Sequence, residues 1–381
     1  MAQTNLAYVR TDEAPELPAP TSETGVVGWV RKNLFSSILN TIMTFVGIYL
    51  AYSLIAPLIQ FAFIDAVWTG DDRTACLAPP DATTHMGACW AYVEAYFPQF
   101  IYGRYPVEER YRVDIVFVLF VLLLVPLAMP TAPFKRANVL LFLVVFPIIA
   151  FILLVGGMFG LPEVETPLWG GLLVTLVIAI TGIVASLPLG ILLALGRRSK
   201  MPAIKLVSII FIEFWRGVPL ITVLFMASVM LPLFLPEGVT FDKLLRVLIG
   251  VALFSAAYMA EVVRGGLQAI PKGQYEGAMA LGLRFGSMMR LIILPQALKL
   301  VIPGIVNTFI GLFKDTTLVL IVGMFDLLGQ VQQSFSNPTW STPSQGHTGY
   351  LFAAAIFWIF CFGMSRYSIY MENRLHTGHK R

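Results

Sequence analysis

The chain has 381 residues, of which 57% are hydrophobic and 13% are charged, and its formal net charge is +4. Soluble domains are roughly 45–50% apolar and about 25% charged, so this chain carries about half the charge that usually covers a soluble surface. The composition excludes a soluble domain and a disordered chain, and it offers no basic stripe for nucleic acid. An integral membrane protein is predicted.

Apolar stretches recur along the chain, and a stretch of about 20 residues is long enough to cross a bilayer as a helix. Residues 1–30 precede them and are polar, so we expect a disordered tail without a cleavable signal peptide. Eight membrane-spanning helices are predicted, near 34–63, 113–130, 138–160, 169–196, 218–236, 243–264, 288–312 and 348–370.

Lys and Arg cluster in alternate loops, and this pattern sets the orientation because short basic loops stay in the cytoplasm. The turns at Lys135 and Arg198, the loop 264–290 and the C-terminal segment 366–381, which includes the tail 373–381, are basic, whereas the loop 161–167 is acidic. Both termini are therefore expected in the cytoplasm.

The polar loop 64–112 is expected on the outer side, and it holds two of the three cysteines. For Cys76 and Cys89, a disulfide and two inert thiols both remain open. A metal site is disfavoured, because His85 is the only imidazole nearby and no C-x-x-C pair occurs. The aromatic residues near 90–105 favour a belt at the membrane interface over a binding cage.

Two segments are predicted to be helical without crossing the membrane. Residues 199–214 follow a basic turn and are expected to form an interfacial elbow, because Gly217 permits a break and Pro219 suits the start of a helix. Residues 268–286 are rich in Ala, Gly, Met and Leu, with apolar positions at helical spacing. We expect a helix at the membrane face with one side turned to a partner.

Four short motifs follow one another in the C-terminal half. Glu276-Gly277-Ala278 is followed by Gly282 and by Ile293-Leu294-Pro295, which closely resembles the EAA motif of ABC-importer permeases. Three further motifs resemble those of the polar amino-acid branch of that family: Glu213-Phe-Trp-Arg-Gly-Val-Pro-Leu220, Tyr258-Met-Ala-Glu-Val-Val-Arg-Gly-Gly266 and Lys314-Asp-Thr-Thr-Leu318. The departures, Gly277 for the usual Ala and Thr317 for Ser, remove no charge.

The resemblance implies an all-α integral membrane protein with about eight transmembrane helices. A five-helix ABC type I importer core at 165–372 would be preceded by three extra helices. These helices and the loop 64–112 would form an N-terminal extension, 31–160, that resembles one permease subunit of the proteobacterial general L-amino-acid (Aap/Bzt-type) importers. The implied location is the bacterial inner membrane.

The implied function is ATP-driven, binding-protein-dependent import of polar L-amino acids, either glutamate, glutamine, aspartate and asparagine or a broad range. The implied partners are a second, non-identical permease subunit, a cytoplasmic ATPase dimer, a periplasmic amino-acid-binding protein and membrane lipids, with no nucleic acid. The sequence lacks the G-x-x-x-x-G-K-[ST] motif, so we expect no enzyme activity and no bound cofactor or metal. ATP and Mg²⁺ are expected on the partner ATPase.

The resemblance makes the 268–286 helix the coupling helix, which docks into a groove on the ATPase. Its expected coupling residues are Gly273, Glu276, Gly277, Ala278 and Gly282. Ala278 and Gly282 would share one face and permit close contact, and Glu276 would lie early in the helix, where the helix dipole favours a carboxylate. The alternative is that these small residues only pack the loop against the bundle.

Polar groups within a helical bundle usually face a cavity, so the substrate path is expected along the span 288–312 and the motif after it. The expected path residues are Asn307, Lys314, Asp315, Thr316 and Thr317. Lys314 and Asp315 could hold the carboxylate and the ammonium of an amino acid. Alternatively, they pair with each other or reach the outer interface.

Two pairs of charged residues belong to the motifs and are interpreted as structural ion pairs or as a gate. They are Glu213 with Arg216, at a helix entry, and Glu261 with Arg264, one turn apart. A secondary transporter is the chief alternative class, but it should show Gly/Pro-broken helices in both halves, and here they occur only in the C-terminal half. A membrane enzyme is disfavoured because no catalytic constellation occurs.

Overall fold

The computed structural model describes residues 25–77, 86–129, 131–234, 236 and 241–375. Within these ranges the chain is helical and its β-type pairings are isolated bridges, so the all-α prediction is confirmed. The chain divides into two compact units, Met1–Ala66 with Asp81–Gly87 and Val67–Pro80 with Ala88–Arg381.

The first unit contains the helices α1 (Gly25–Leu34) and α2 (Ile38–Ile64). Ser37 caps the start of α2, because its hydroxyl accepts a hydrogen bond from the Asn40 N–H (3.1 Å). No residue between Ile38 and Ile59 is buried. A helical stretch that is apolar all round and has no buried residue is suited to a lipid environment.

The helix α1 overlaps the predicted disordered tail, and that prediction is wrong for residues 25–30. Arg31 and Lys32 lie in the last turn of α1, where cations interact favourably with the carbonyl end of the helix dipole. Residues 1–24 lie outside the described part of the chain.

The second unit is a helical bundle around two long, closely packed helices, α6 and α9. Its helices are α3 (Trp90–Tyr102), α4 (Val107–Ala128), α5 (Lys135–Val155), α6 (Gly171–Arg197), α7 (Pro202–Gly217), α8 (Leu220–Phe234), α9 (Lys243–Ala269), α10 (Lys272–Ala280), α11 (285–300), α12 (Ile302–Val322), α13 (Leu327–Ser334) and α14 (Gln345–Leu375). Gly190 of α6 lies against Met259 and the backbone of Ala260, so a side chain there would collide with α9. Small residues allow such close approach of membrane helices.

Seven helices in the described ranges are long and apolar enough to cross a membrane: α2, α4, α5, α6, α9, α12 and α14. An eighth span arises when α7 and α8 are taken together, and these two helices are bent by 102° at the break between them. The break lies at Val218 and Pro219, directly after Gly217, as the predicted elbow requires. The prediction of about eight spans is confirmed.

The predicted span 288–312 is wrong in its bounds, because the helix is interrupted at Val301. The segment α11 ends at Leu300, and α12 begins at Ile302 with Pro303 in its first turn, a position that suits proline. The spanning helix continues to Val322. The Lys314 motif therefore lies within a span instead of beyond its end.

The described part of the segment 64–112 that belongs to the second unit is partly helical and buried there, where a simple polar loop was predicted. Tyr92 and Phe100 of α3 are fully buried. The Tyr92 hydroxyl is hydrogen-bonded to the Ser334 hydroxyl, and the Gln99 side chain donates to Gln330 (3.1 Å). The predicted interfacial belt is therefore wrong for these two aromatic residues, which fill a core between α3, α13 and α14.

The predicted extension, 31–160, includes α4 and α5, which pack against α6 of the predicted core, 165–372. Residues of α4 and α5, such as Val116 and Leu154, share one hydrophobic core with Val174 of α6.

Cys76 and Cys89 form a disulfide with a Cα–Cα distance of 5.7 Å, within the usual range for such bridges. Both residues are buried. The Cys89 N–H also donates to the Thr348 hydroxyl (3.0 Å), which joins this segment to the first turn of α14. We call the region where α3, α13 and the start of α14 meet this disulfide the disulfide end.

Asp326 at the disulfide end should make stability depend on pH. Asp326 caps α13 by accepting a hydrogen bond from the Gly329 N–H (2.9 Å), and burial raises the pKa of its carboxyl from 3.8 to about 6. The folded state thus binds this proton more tightly than the unfolded state. Its stabilising effect of about 3 kcal/mol is complete below about pH 4 and is lost as the pH rises through about 6.

We therefore expect the melting temperature in detergent to fall between pH 4 and pH 7 partly because Asp326 ionises. In Asp326→Asn, whose amide oxygen can still cap α13, this part of the fall should disappear, and the variant should be the more stable protein at pH 7.5. An equal pH dependence of the two proteins would show that Asp326 has an ordinary pKa.

Candidate functional site

Five charged side chains form one network where α6, α7 and α9 end or begin at the side of the bundle opposite the disulfide end. Glu261 lies at its centre, with oxygen–nitrogen distances of 2.7 Å to Arg264, 3.1 Å to Arg197 and 3.7 Å to Arg216. Arg197 also binds Glu213 at 2.7 Å. The Glu261 side chain is only 15% exposed, so three guanidinium groups surround a mostly buried carboxylate.

The network joins two of the sequence motifs, and its pairing differs in part from the prediction. Glu261 and Arg264 are paired as expected. Glu213, however, binds Arg197, and Arg216 binds Glu261 and lies over the ring of Tyr258 (5.7 Å to the centroid). The predicted Glu213–Arg216 pair is therefore wrong, since each residue binds a partner on another helix.

Removing the central carboxylate should destabilise the junction of the three helices. In Glu261→Gln, three arginines lose their shared acceptor, and we expect a loss of roughly 1–3 kcal/mol in the free energy of unfolding. The loss should appear as a lower melting temperature of the purified protein. Glu163→Gln is the matched control, because Glu163 is an exposed carboxylate outside the network. Equal melting temperatures for the two variants would contradict a stabilising role for Glu261.

The segment 268–286 is not one helix. The helix α9 runs on to Ala269, Pro271 begins a short separate helix, α10, and a turn follows Ala280. Glu276 is the fifth residue of α10, so the expected favourable position near the helix start is wrong.

Gly282 ends α10 and is not part of it. The Gly282 N–H donates to the Met279 carbonyl (2.9 Å), and the Leu283 N–H donates to the Ala278 carbonyl (3.2 Å). This pair of bonds is the Schellman motif, which requires the left-handed conformation at its glycine. Gly282 has φ = +72°, and no atom lies within 4 Å of the position that a Cβ would take. The left-handed backbone conformation therefore explains the glycine at this position, since this chain leaves room for a side chain there.

The two sides of α10 have different surroundings. Ala278 is buried against the bundle, Tyr275 is half-buried, and the Gln296 side chain donates to that of Gln274 (3.0 Å). The opposite side is exposed and carries Gly273, Glu276, Gly277 and Ala280. Ala278, which was expected to share a close-contact face with Gly282, is therefore turned toward the bundle.

The helix α12 has an uncovered face with polar residues on it. Its exposed positions in the α-helical part, Ile302–Asp315, are Pro303, Asn307 and Lys314, which are spaced by four and seven residues and so lie on one side of the helix. Asn307 and Lys314 are separated by about 10 Å along the helix axis. The expected path therefore has two exposed polar side chains on one face.

The other three expected path residues are placed differently. Asp315 and Thr317 are half-exposed, and Thr316 is buried. The Thr316 hydroxyl donates to the Phe313 carbonyl (2.8 Å), and the Thr317 hydroxyl donates to the Lys314 carbonyl (3.0 Å). Because its hydroxyl is buried and already bonded to the backbone, Thr316 is not available to a substrate in this arrangement.

Comparison with known proteins shows where the chain belongs. The family model for the binding-protein-dependent transport system inner membrane component matches residues 186–376. The inner membrane amino-acid ABC transporter permease protein YhdY of Escherichia coli is 52% identical over 364 residues, which cover 96% of this chain and 97% of that protein. The chain belongs to the amino-acid ABC transporter permeases.

A second relative and one solved structure are similar to this permease. The glutamate/glutamine/aspartate/asparagine transport system permease protein BztC of Rhodobacter capsulatus is 41% identical, with 98% of this chain and 99% of that protein covered. The structure, a crystal structure of an amino acid ABC transporter with histidines, is 31% identical with a TM-score of 0.47. It covers 54% of this chain and 92% of the other.

Membership in the family fixes the general role of this permease. It is a multi-pass inner-membrane subunit of an amino-acid importer, and its partners are an ATPase and a substrate-binding protein. The permease is not an enzyme, since ATP is hydrolysed on the separate ATPase subunits. The expectations drawn from the motifs are confirmed at this level.

Several residues of the site were missed in the sequence. The basic turn at Arg198 was interpreted only as a sign of the orientation, although Arg197 beside it binds two carboxylates. Tyr275, within the EAA-like segment, contacts Arg198. Two adjacent arginines at the end of a long apolar helix were the available signal, but they did not identify partners on α7, α9 and α10.

Proposed function

We propose that this permease forms half of the translocation path for polar L-amino acids and that α10 is its coupling helix. The observation that carries the proposal is the asymmetry of α10. One side is fixed to the bundle through Ala278 and Tyr275, and the other side exposes Gly273, Glu276 and Gly277. A short helix held on one side and bare on the other is suited to dock into a groove of a partner.

The small residues on the exposed side support a close contact with the ATPase. A side chain added at Gly273 or Gly277 would meet no atom of this chain within 4 Å, so neither glycine is required for packing inside the permease. Glycine within a helix costs about 0.8–1 kcal/mol relative to alanine. Close approach of a second protein is a reason to retain it.

The proposed substrate path runs along the exposed face of α12. Lys314 offers a cation for the carboxylate of an amino acid, and Asn307 offers an amide that can both donate and accept. Because they are separated by about 10 Å along the axis, an amino acid would meet them in succession. Asp315 and Thr317 border this face, and Thr316 supports it from within the bundle.

The proposed substrates are glutamate, glutamine, aspartate and asparagine, or a broader range of polar L-amino acids. The name of the Rhodobacter capsulatus relative supports this choice. The decisive experiment is uptake of radiolabelled amino acids by cells with and without this gene. Loss of uptake confined to polar amino acids is the expected result, and loss confined to branched-chain or aromatic ones would contradict it.

We also propose that the second half of the path is a different permease and that both termini of this chain face the cytoplasm. One five-span core forms only half of a path in this family, and the basic loops support the orientation. Native mass spectrometry of the intact importer should find one copy of this chain beside another permease. Two copies of this chain without another permease would contradict the proposal.

A further inference from the structure

Two adjacent arginines at the end of α6 contact different parts of the bundle. Arg197 binds Glu213 of α7 and Glu261 of α9, at 2.7 and 3.1 Å. Arg198 Nη1 donates to the Leu267 carbonyl at the end of α9 (2.7 Å) and to the hydroxyl of Tyr275 in α10 (3.2 Å).

The contact between Arg198 and Tyr275 has two components. The guanidinium lies over the aromatic ring, 5.7 Å from its centroid, in addition to its hydrogen bond with the hydroxyl. The Tyr275 hydroxyl in turn donates to the Leu267 carbonyl (3.3 Å). Three groups from α6, α9 and α10 therefore meet at one point. Arginine suits this position because its planar group can stack and donate several hydrogen bonds at once.

The backbone around the two arginines is well ordered by local hydrogen bonds. The Arg198 N–H donates to the Leu195 carbonyl (3.1 Å), and the Ser199 N–H donates to the Gly196 carbonyl (3.0 Å). Since the two arginines are neighbours in the chain, a shift of the backbone at Arg198 also shifts the backbone at Arg197. A movement of α10 at Tyr275 would thus reach α7 through Arg198, Arg197 and Glu213.

We infer that Arg198 is a positioning residue that transmits movement of α10 to the elbow helix α7. The inference rests on the proposed function of α10 as the coupling helix. It adds the route by which the position of that helix is communicated to the membrane part. Energetic coupling is carried by contiguous packed and hydrogen-bonded groups, and this contact is such a connection between the two elements.

The test measures how many ATP molecules are hydrolysed per amino acid transported. The complete importer, with its ATPases, second permease and binding protein, is reconstituted in proteoliposomes as wild type, Arg198→Gln, Tyr275→Leu and the double variant. Each single variant should raise the ratio about two- to thirtyfold, the range that corresponds to the usual energy of one coupling contact. The double variant should be no worse than the more affected single variant, because both remove the same contact.

Lys200→Gln is the matched control, since it removes a positive charge from the same turn and should leave the ratio unchanged. If Arg198→Gln fails to accumulate, the ATP ratio is measured in Arg198→Lys and Tyr275→Leu instead. Lysine keeps the positive charge but cannot reproduce the planar set of donors of arginine, so the ratio should still rise in Arg198→Lys. An unchanged ratio in folded variants, or effects that multiply in the double variant, would overturn the inference.

A photo-crosslinker at position 276 separates this inference from the proposed function. Crosslinking to the ATPase combined with an unchanged ATP ratio in the Arg198 and Tyr275 variants would overturn the inference and leave the coupling role of α10 intact. Absence of the crosslink in an otherwise wild-type importer would overturn the coupling role and, with it, the inference.

Discussion

Gly282→Val is expected to abolish most amino-acid uptake while the permease still reaches the membrane. Gly282 ends α10 with φ = +72°, a conformation that costs a residue with a side chain about 1–2 kcal/mol, and a β-branched residue still more. Loss of the Schellman motif would release the Leu283 and Gly282 N–H bonds and change the direction in which the chain leaves α10. We expect uptake to fall about five- to thirtyfold, the factor that corresponds to this energy.

Two variants of the same segment serve as controls for Gly282→Val. Gly282→Asn should retain most uptake, because asparagine tolerates the left-handed conformation better than other residues. Gly277→Ala removes a glycine without violating a backbone requirement, so it should leave the membrane level unchanged. Equal uptake by Gly282→Val and Gly282→Asn would show that the backbone conformation at this position is not required.

Lys314→Gln is expected to reduce uptake about tenfold or more at low substrate concentration, since a hydrogen bond to a charged group contributes about 1.5–3 kcal/mol. Lys314 is exposed on the same face of α12 as Asn307, so its ammonium is available to a carboxylate in the path. Lys314→Arg should retain part of the uptake, because it keeps the charge. The measurement is the initial rate of uptake over a range of amino-acid concentrations.

Lys205→Gln is the control for this second prediction, because it removes another exposed lysine, on the elbow helix α7. It should leave the uptake rate unchanged. If Lys314→Gln lowers the amount of assembled importer as much as it lowers uptake, Lys314 has a structural role and does not belong to the path.

Features governed by local sequence were predictable. The break between α7 and α8 follows from Gly217 and Pro219, whose effects act on their own backbone and on the adjacent residues. The interruption at Val301 was missed, although Pro303 carries a similar signal. The surrounding residues are apolar enough to form one continuous span, and hydropathy alone does not distinguish a span from two shorter helices.

Features that depend on distant contacts were not predictable. Tyr92 is buried because it meets Ser334, and Glu213 pairs with Arg197 on another helix. In both cases the partner is fixed by the packing of the bundle, which local patterns do not specify. The same reason explains why the orientation of Ala278 was not predicted: this residue belongs to the EAA-like motif, but it is buried against the bundle. A motif identifies residues that act together without showing which side each one faces.

The central claim is that α10 docks on the ATPase and transmits its conformational change to the membrane helices. Crosslinking from the two sides of α10 tests this claim most directly. A photo-reactive amino acid is placed at Glu276, on the exposed side, or at Gln274, which contacts Gln296 of α11. In importers that still transport, position 276 should crosslink to the ATPase and position 274 should crosslink within the permease. A transporting importer in which position 276 gives no ATPase adduct would contradict the claim.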